Sequence, residues 1–140
     1  MLKILVVDDS MIIRRNLRKM IEALGHTVIA EAKNGQEAIS AYGEHQPDLV
    51  TMDITMPELD GIEATRAICK ENPQAKVVMI TSHGQEDKVI ESVQAGASGY
   101  LLKPFDEERL LAAIAKLFPD MLDEAFYQHQ SDGSLQLKVE

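Results

Sequence analysis

Five short apolar runs alternate with five amphipathic helical patterns, and this alternation is the feature that most constrains how the chain can fold. The runs lie at residues 2–8, 27–32, 48–53, 76–81 and 99–103. Near-continuous apolar runs of this length are typical of strands that are covered on both faces, as in a parallel sheet. The alternation therefore predicts an α/β fold in which a five-stranded parallel sheet carries helices on both faces, joined by right-handed crossovers.

The helical patterns have recognisable boundaries and apolar stripes. The first is preceded by Ser10, a residue suited to an N-cap, and followed by Gly25, a residue common after helix ends. In the fourth, Val89, Ile90 and Val93 form the apolar stripe. Such a stripe is typical of the helix face that packs on a sheet.

The alternation stops at residue 118, so we expect one domain over residues 1–118 and a C-terminal extension over residues 119–140. Residues 121–126 could prolong the last helix. The apolar alternation of residues 135–139 is a weak strand signal. A disordered tail and an edge or partner contact, including one that pairs two subunits, both stay open for this extension.

Composition excludes several classes of protein. The 140 residues carry a net charge of −9 and show no basic face, which disfavours direct nucleic-acid binding. No apolar run approaches the roughly 20 residues needed to span a bilayer, and no signal-peptide pattern follows Met1. Cys69 is the single cysteine, which fits a reducing compartment. We therefore expect a cytoplasmic protein without membrane or nucleic-acid partners.

Polar residues end four of the apolar runs. Asp8 and Asp9 end the first, Asp53 the third, Thr81 the fourth and Lys103 the fifth. Taken singly, each has a plain explanation, since strand ends are commonly polar. Parallel strands, however, bring their carboxyl ends to one edge of the sheet, where ligand and catalytic groups collect. We therefore expect these five side chains to share one site.

Three carboxylates in one site predict a divalent cation. Two carboxylates about 4 Å apart repel by roughly 4 kcal/mol at an effective dielectric constant near 20. Oxygen ligands without histidine or cysteine favour Mg²⁺, which often bridges to a phosphoryl group. Lys103 is expected to pair with Asp53 at rest.

The motifs around these residues resemble the response-regulator receiver family of two-component signalling, most closely its stand-alone, CheY-like members. The matching segments are residues 6–10, 52–61, 80–82 and 99–105. Four segments in the same order, each at a strand end, make the resemblance specific. It covers residues 1–118 and implies a flavodoxin-like sheet with the strand order 2-1-3-4-5.

The resemblance implies a role for each site residue. Asp53 resembles the phosphoacceptor, whose carboxylate attacks the phosphoryl group of a histidine kinase or a histidine phosphotransfer protein. Asp8, Asp9, Asp53 and the backbone carbonyl of Thr55 would hold Mg²⁺. Lys103 would offset charge during the transfer.

The resemblance also implies a switch. The Thr81 hydroxyl would bond the phosphoryl group, and Tyr100 would turn inward as Thr81 moves, which remodels the surface of the fourth helix, fifth strand and fifth helix. The Lys103–Pro104 bond is cis in the family. Thr55 and His83 flank the path of water to the acyl phosphate, so both are candidate modulators of dephosphorylation.

The function that these observations predict is that of a single-domain response regulator. It would catalyse only its own phosphorylation and autodephosphorylation and is otherwise not expected to be an enzyme. Its output is expected in chemotaxis, on the flagellar motor switch or another effector. The alternative is a phosphorelay intermediate that passes phosphate to a histidine phosphotransfer protein.

Three other classes fit less well. Haloacid-dehalogenase-like phosphatases place Asp-x-Asp after the first strand, whereas Asp8 and Asp9 are adjacent here and a cap domain is missing. A flavin carrier would need a phosphate-binding loop where Asp8 and Asp9 would repel phosphate. A receiver-like protein that never takes phosphate is disfavoured by the intact set of five site residues.

Overall fold

The computed structural model describes residues 1–119, 127–129 and 135–137. Five strands alternate with five helices, as the sequence predicts. The strands are β1 (Lys3–Val7), β2 (Thr27–Ala32), β3 (Leu49–Asp53), β4 (Val77–Thr81) and β5 (Gly99–Leu102). The helices are α1 (Met11–Ala23), α2 (Gly35–His45), α3 (Gly61–Glu71), α4 (Glu86–Ala95) and α5 (Glu107–Leu117).

The five strands form one parallel sheet in the order β2-β1-β3-β4-β5. This arrangement confirms the doubly wound, flavodoxin-like α/β fold that the resemblance implied. In the sheet register Asp53 lies beside Ile80, and Thr81 lies beside Leu102. The carboxyl ends of these strands are therefore level with one another at one edge of the sheet.

Two apolar layers cover the sheet, one on each face. Leu5 and Val7 of β1 face the layer formed with α2, α3 and α4. Ile4 and Val6 face the layer formed with α1 and α5. Because alternate side chains of one strand enter opposite layers, all four residues of β1 after Lys3 are apolar and buried. In the part of the chain that the structure describes, all helices are too short or too polar to cross a bilayer.

Four of the five helices begin at a side-chain cap. Ser10, Asn34, Asp60 and Asp106 each accept a hydrogen bond from the backbone N–H three residues later, at 3.3, 2.8, 2.9 and 3.0 Å. Helix α4 instead follows Gln85, whose side chain makes no such bond. Three of the caps, Ser10, Asp60 and Asp106, follow the strand ends that carry the predicted site.

The prediction that the Val89, Ile90 and Val93 stripe packs inward is wrong for two of its residues. Ile90 and Val93 are both 63% exposed, and α4 packs through Ser92 and Ala95 instead. Small residues allow the helix backbone to lie close to its neighbours, and the Ser92 hydroxyl donates to the Lys88 carbonyl at 2.7 Å. That bond removes the cost of burying a serine.

The C-terminal extension contains a short antiparallel pair of strands, β6 (Tyr127–His129) and β7 (Leu135–Leu137). Strand β7 coincides with the weak strand signal at residues 135–139. Its partner, β6, carries no strand signal that was recognised in the sequence. The predicted helical prolongation over residues 121–126 lies outside the described residues.

Candidate functional site

Three aspartates converge at the carboxyl edge of the sheet, as the strand-end pattern predicts. Asp8 and Asp9 follow β1, and Asp53 is the last residue of β3. One carboxylate oxygen from each lies within 4.8 Å of the other two. Asp8 is 1% exposed and Asp53 is 7% exposed, whereas Asp9 is exposed to solvent. The cluster is thus open on one side and can be reached from solution.

Hydrogen bonds from two neighbouring residues fix the position of Asp8. Its carboxylate accepts a hydrogen bond from the Ser10 backbone N–H at 2.9 Å. Arg14 donates to the Asp8 backbone carbonyl at 2.7 Å and to the Glu31 carboxylate at 3.0 Å. Sequence reasoning missed this role of Arg14, which lies just beside the apolar stripe of α1. A basic residue one turn after a capping residue was the available signal.

Lys103 completes the charged cluster. Its ammonium nitrogen lies 3.4 Å from a carboxylate oxygen of Asp8 and 3.4 Å from one of Asp53. The expected resting pair of Lys103 and Asp53 is therefore present, with Asp8 as a second partner. Burial lowers the pKa of Lys103, but attraction to Asp53 and Asp8 outweighs it, so this pKa lies above its ordinary value. The Lys103–Pro104 peptide is cis, as the resemblance implied.

Among the carboxylates of the described residues, Asp53 has the most strongly shifted pKa. Burial, followed by repulsion from Asp8, raises the pKa of Asp53 to about 6, and Lys103 opposes this rise. A raised pKa reports that the anion is costly in this environment. Three carboxylate groups with oxygen donors alone are the ligand chemistry that Mg²⁺ prefers, and such a cation would lower that cost.

Gly61 holds together the two ends of the loop between β3 and α3. The Gly61 N–H donates to the Ile54 carbonyl at 2.9 Å. A Cβ atom on Gly61 would overlap the Asp53 carbonyl oxygen. Glycine is therefore required here by close backbone approach, and its φ angle is not in the left-handed region.

Thr81 and Thr55 are joined by a side chain that sequence reasoning missed. The Gln85 amide accepts hydrogen bonds from the Thr81 hydroxyl at 3.3 Å and from the Ser82 N–H at 2.9 Å. It donates to the Thr55 hydroxyl at 2.9 Å. Thr81 is buried, whereas Thr55 is exposed. A polar residue before a helix carries no distinctive signal, because it is also typical of a solvated helix start.

The two remaining candidate residues, Tyr100 and His83, line separate cavities. Tyr100 is 58% exposed and lines a cavity of about 300 Å³ together with Thr81 and Gln85. His83 is exposed and lines a different cavity, of about 630 Å³, together with Lys103 and Arg109. The implied roles of Tyr100 as a switch and of His83 in dephosphorylation stay predictions.

The fold and this set of strand-end residues define a class of protein. Residues 4–115 match the response regulator receiver domain family, and the chain belongs to that family. It is similar to CheY-like members of the family, which supports the two-component and chemotaxis signalling that the sequence predicts.

Individual relatives agree with this assignment. The chain is 46% identical to the chemotaxis protein CheY of Bacillus subtilis over 114 residues, covering 81% of this chain and 95% of that protein. It is 44% identical to CheY of Listeria monocytogenes over 116 residues, covering 83% and 98%. A crystal structure of the CheX-CheY-BeF3-Mg²⁺ complex from Borrelia burgdorferi matches with a TM-score of 0.79 and 34% identity, covering 83% of this chain and 88% of that one.

Proposed function

We propose that Asp53 accepts a phosphoryl group from the phosphohistidine of a histidine kinase or a histidine phosphotransfer protein. The observation that carries this proposal is the position of Asp53 between two further carboxylates and the Lys103 ammonium, 3.4 Å away. This arrangement combines a nucleophile, a cation-binding oxygen set and a fixed positive charge at one open edge of the sheet.

The transfer is an in-line displacement at phosphorus. One Asp53 carboxylate oxygen forms a bond to phosphorus while the bond between phosphorus and the histidine nitrogen breaks. The electron pair of the broken bond stays on the imidazole, and the product is an acyl phosphate. Lys103 stays close to the Asp53 carboxylate and offsets charge on the transferred oxygens, since positioning and electrostatics dominate phosphoryl transfer.

Asp8, Asp9 and Asp53 are the residues that would hold Mg²⁺, joined by the Thr55 backbone carbonyl that the resemblance implies. Bound there, the ion would neutralise charge on the phosphoryl oxygens. The fit rests on three carboxylate groups whose oxygens lie within 4.8 Å of one another. The Ser10 backbone N–H orients the Asp8 carboxylate in this cluster.

Phosphorylation of Asp53 would change the conformation of a surface near the site. The modification adds about −1.5 to −2 charges and strong hydrogen-bond acceptors next to Thr81 and Lys103. Thr81 ends β4, directly before the loop to α4, and Tyr100 lies on the adjacent β5. We expect the surface of α4, β5 and α5 to change and to bind a downstream protein in chemotaxis. The CheY relatives and the CheX-CheY complex support that choice of output.

The direct test is phosphorylation by a small donor. Acetyl phosphate with Mg²⁺ should add the mass of one phosphoryl group to the intact protein, and the added mass should decay on its own. Asp53→Asn should abolish the gain, whereas Asp87→Asn, on the exposed start of α4, should leave it unchanged. An unmodified wild-type protein in Mg²⁺-replete buffer would contradict the proposal.

The output needs a separate experiment. The protein saturated with beryllofluoride and Mg²⁺, a mimic of the acyl phosphate, should bind a purified chemotaxis target more tightly than the untreated protein does. Transfer of the phosphoryl group from Asp53 to a purified histidine phosphotransfer protein, without such tightening, would favour the phosphorelay alternative.

A further inference from the structure

The Gln85 side chain connects two loops of the site. Its amide joins Thr55, on the loop after β3, to Thr81 and Ser82, at the end of β4. We call this set of three hydrogen bonds the Gln85 bridge. It spans 30 sequence positions between Gln85 and Thr55 and is therefore a tertiary contact.

The orientation of the amide is set by its partners. The Ser82 backbone N–H can only donate, so the Gln85 oxygen must face it, at 2.9 Å. The NH₂ group then faces the Thr55 hydroxyl oxygen, also at 2.9 Å. A flipped amide would place two donors against each other at Ser82. Two acceptors then lie near the Thr81 hydroxyl: the Gln85 oxygen, at 3.3 Å, is the nearer, and the Ser82 backbone carbonyl lies at 3.4 Å.

The bridge competes with the role proposed for Thr81. A threonine hydroxyl has one hydrogen to donate. While that hydrogen is donated to Gln85, it is not available to a phosphoryl oxygen on Asp53. The bond to a charged phosphoryl oxygen is the stronger of the two, since charge-assisted hydrogen bonds are about twice as strong as neutral ones. Arrival of the phosphoryl group therefore favours release of Thr81 from Gln85.

Release would also act on the start of α4. Gln85 is the N-cap residue of α4, and its side chain makes no cap bond, unlike those before the other four helices in the described residues 1–119. The same side chain thus links the Thr81 hydroxyl to the residue that directly precedes α4. Ile90 and Val93, which are exposed, follow on that helix.

We propose that Gln85 is a positioning residue of the switch: the Gln85 bridge holds the Thr81 hydroxyl in the resting state and must open before Thr81 can bond the phosphoryl group. This inference rests on the proposed phosphorylation of Asp53. The hydrogen bond between Gln85 and Thr81 then stabilises the resting state against activation. Opening of the bridge is the step that passes the change at Asp53 on to α4.

The resting state can be tested without phosphate. In the unmodified protein Gln85→Leu, which puts an apolar side chain in place of the amide and so removes its acceptor and its donor, should speed hydrogen exchange at the Ser82 amide at least several-fold. Gln94→Leu, on the exposed side of the same helix, is the matched control and should leave this exchange unchanged. Unchanged exchange at Ser82 in Gln85→Leu would overturn the bridge itself.

The competition is tested with beryllofluoride and Mg²⁺. Removing a bond that only the resting state makes should tighten beryllofluoride binding by about threefold to tenfold in Gln85→Leu, the range set by one net hydrogen bond. Gln94→Leu should match the wild type. Equal or weaker binding by Gln85→Leu would overturn the proposal while leaving phosphorylation of Asp53 intact. A wild-type protein that binds no beryllofluoride and gains no phosphoryl mass would instead overturn the proposed function.

A second variant tests the other end of the bridge. Thr55→Val removes the hydroxyl that anchors the Gln85 NH₂ group and keeps the side-chain shape. It should tighten beryllofluoride binding less than Gln85→Leu does, and the double variant should bind no more tightly than Gln85→Leu alone. Additive effects of the two substitutions would contradict a shared bridge. If Gln85→Leu does not fold, tighter binding by Thr55→Val alone supports the bridge and unchanged binding overturns it.

Discussion

The Lys103 ammonium lies 3.4 Å from the Asp53 carboxylate, although 50 positions separate the two residues in the sequence. The contact exists because β3 and β5 lie on either side of β4 and all three end at one edge of the sheet. Lys103 is the same distance from Asp8. One cation therefore offsets two buried carboxylates.

Replacing Lys103 should impair phosphorylation more than folding. Lys103→Met keeps the stem and removes the charge, so we expect acetyl phosphate to modify Asp53 on the order of tenfold to a hundredfold more slowly. Mass spectrometry over time measures the rate. Lys76→Met, at an exposed position before β4, is the control and should react like the wild type. Equal rates for both variants would exclude an electrostatic role for Lys103.

Asp53→Asn should raise the free energy of unfolding in metal-free buffer. The pKa of Asp53 is raised from 3.8 to about 6 in the folded protein, so the folded state holds this proton more tightly than the unfolded state does. Ionisation of Asp53 thus costs stability as the pH rises through this interval. We expect a gain of about 1–3 kcal/mol at pH 7.5 and little gain near pH 4, measured by urea unfolding with EDTA.

Two comparisons check that interpretation. Asp87→Asn, at an exposed position, should show no gain at either pH. Added Mg²⁺ should stabilise the wild type and have a smaller effect on Asp53→Asn, because a cation that binds only the folded state adds to its stability. A gain from Asp53→Asn that is the same at both pH values would show that its cause is not the Asp53 charge.

Two glycine-to-alanine substitutions should have opposite effects. Gly61→Ala places a Cβ against the Asp53 carbonyl, so we expect a loss of about 1–3 kcal/mol in the free energy of unfolding and slower phosphorylation. Gly43 lies in α2 with nothing within 4 Å of an added Cβ. Gly43→Ala should therefore stabilise the protein by about 0.5–1 kcal/mol. Urea unfolding of both variants measures the difference. A Gly61→Ala variant as stable as the wild type would contradict the close approach at Gly61.

The exposed face of α4 should contribute little to folding. Ile90→Ala should change the free energy of unfolding by less than about 0.5 kcal/mol, because Ile90 is 63% exposed. Ile80→Ala, in β4 at 1% exposure, should cost about 2–5 kcal/mol. Thermal or urea unfolding compares the two. A large loss from Ile90→Ala would mean that this residue is buried in solution, for example against another chain.

His83 should affect how long the phosphoryl group persists. We expect His83→Ala to change the rate of autodephosphorylation several-fold, because His83 lines a cavity together with Lys103, whose ammonium contacts Asp53. The decay of the phosphorylated mass measures this rate. His45→Ala, at the exposed end of α2, should decay like the wild type. An unchanged half-life for His83→Ala would remove this residue from the hydrolysis step.

Much of the fold and of the charged cluster could be predicted from the sequence. Apolar periodicity located all five strands of the sheet to within two residues at each end, because a strand that is buried on both faces is apolar along most of its length. Asp8, Asp53 and Lys103 follow from the same argument, since a strand end is a local feature and the parallel topology brings the ends together. The resemblance supplied the strand order.

Other features depended on contacts between distant segments. Gln85 looks like any polar residue before a helix until the fold places Thr55 against its amide. The stripe of Ile90 and Val93 looks like a buried face until Ser92 and Ala95 prove to be the residues in contact with the core.

The sequence by itself determined the alternation of strands and helices and the residues at the strand ends, because periodicity and turn chemistry act over a few neighbouring positions. The tertiary structure alone decided the inward face of α4, the need for glycine at position 61 and the partners of Gln85. Those depend on which atoms from remote segments occupy the adjacent space, and nothing local in the chain encodes that occupancy.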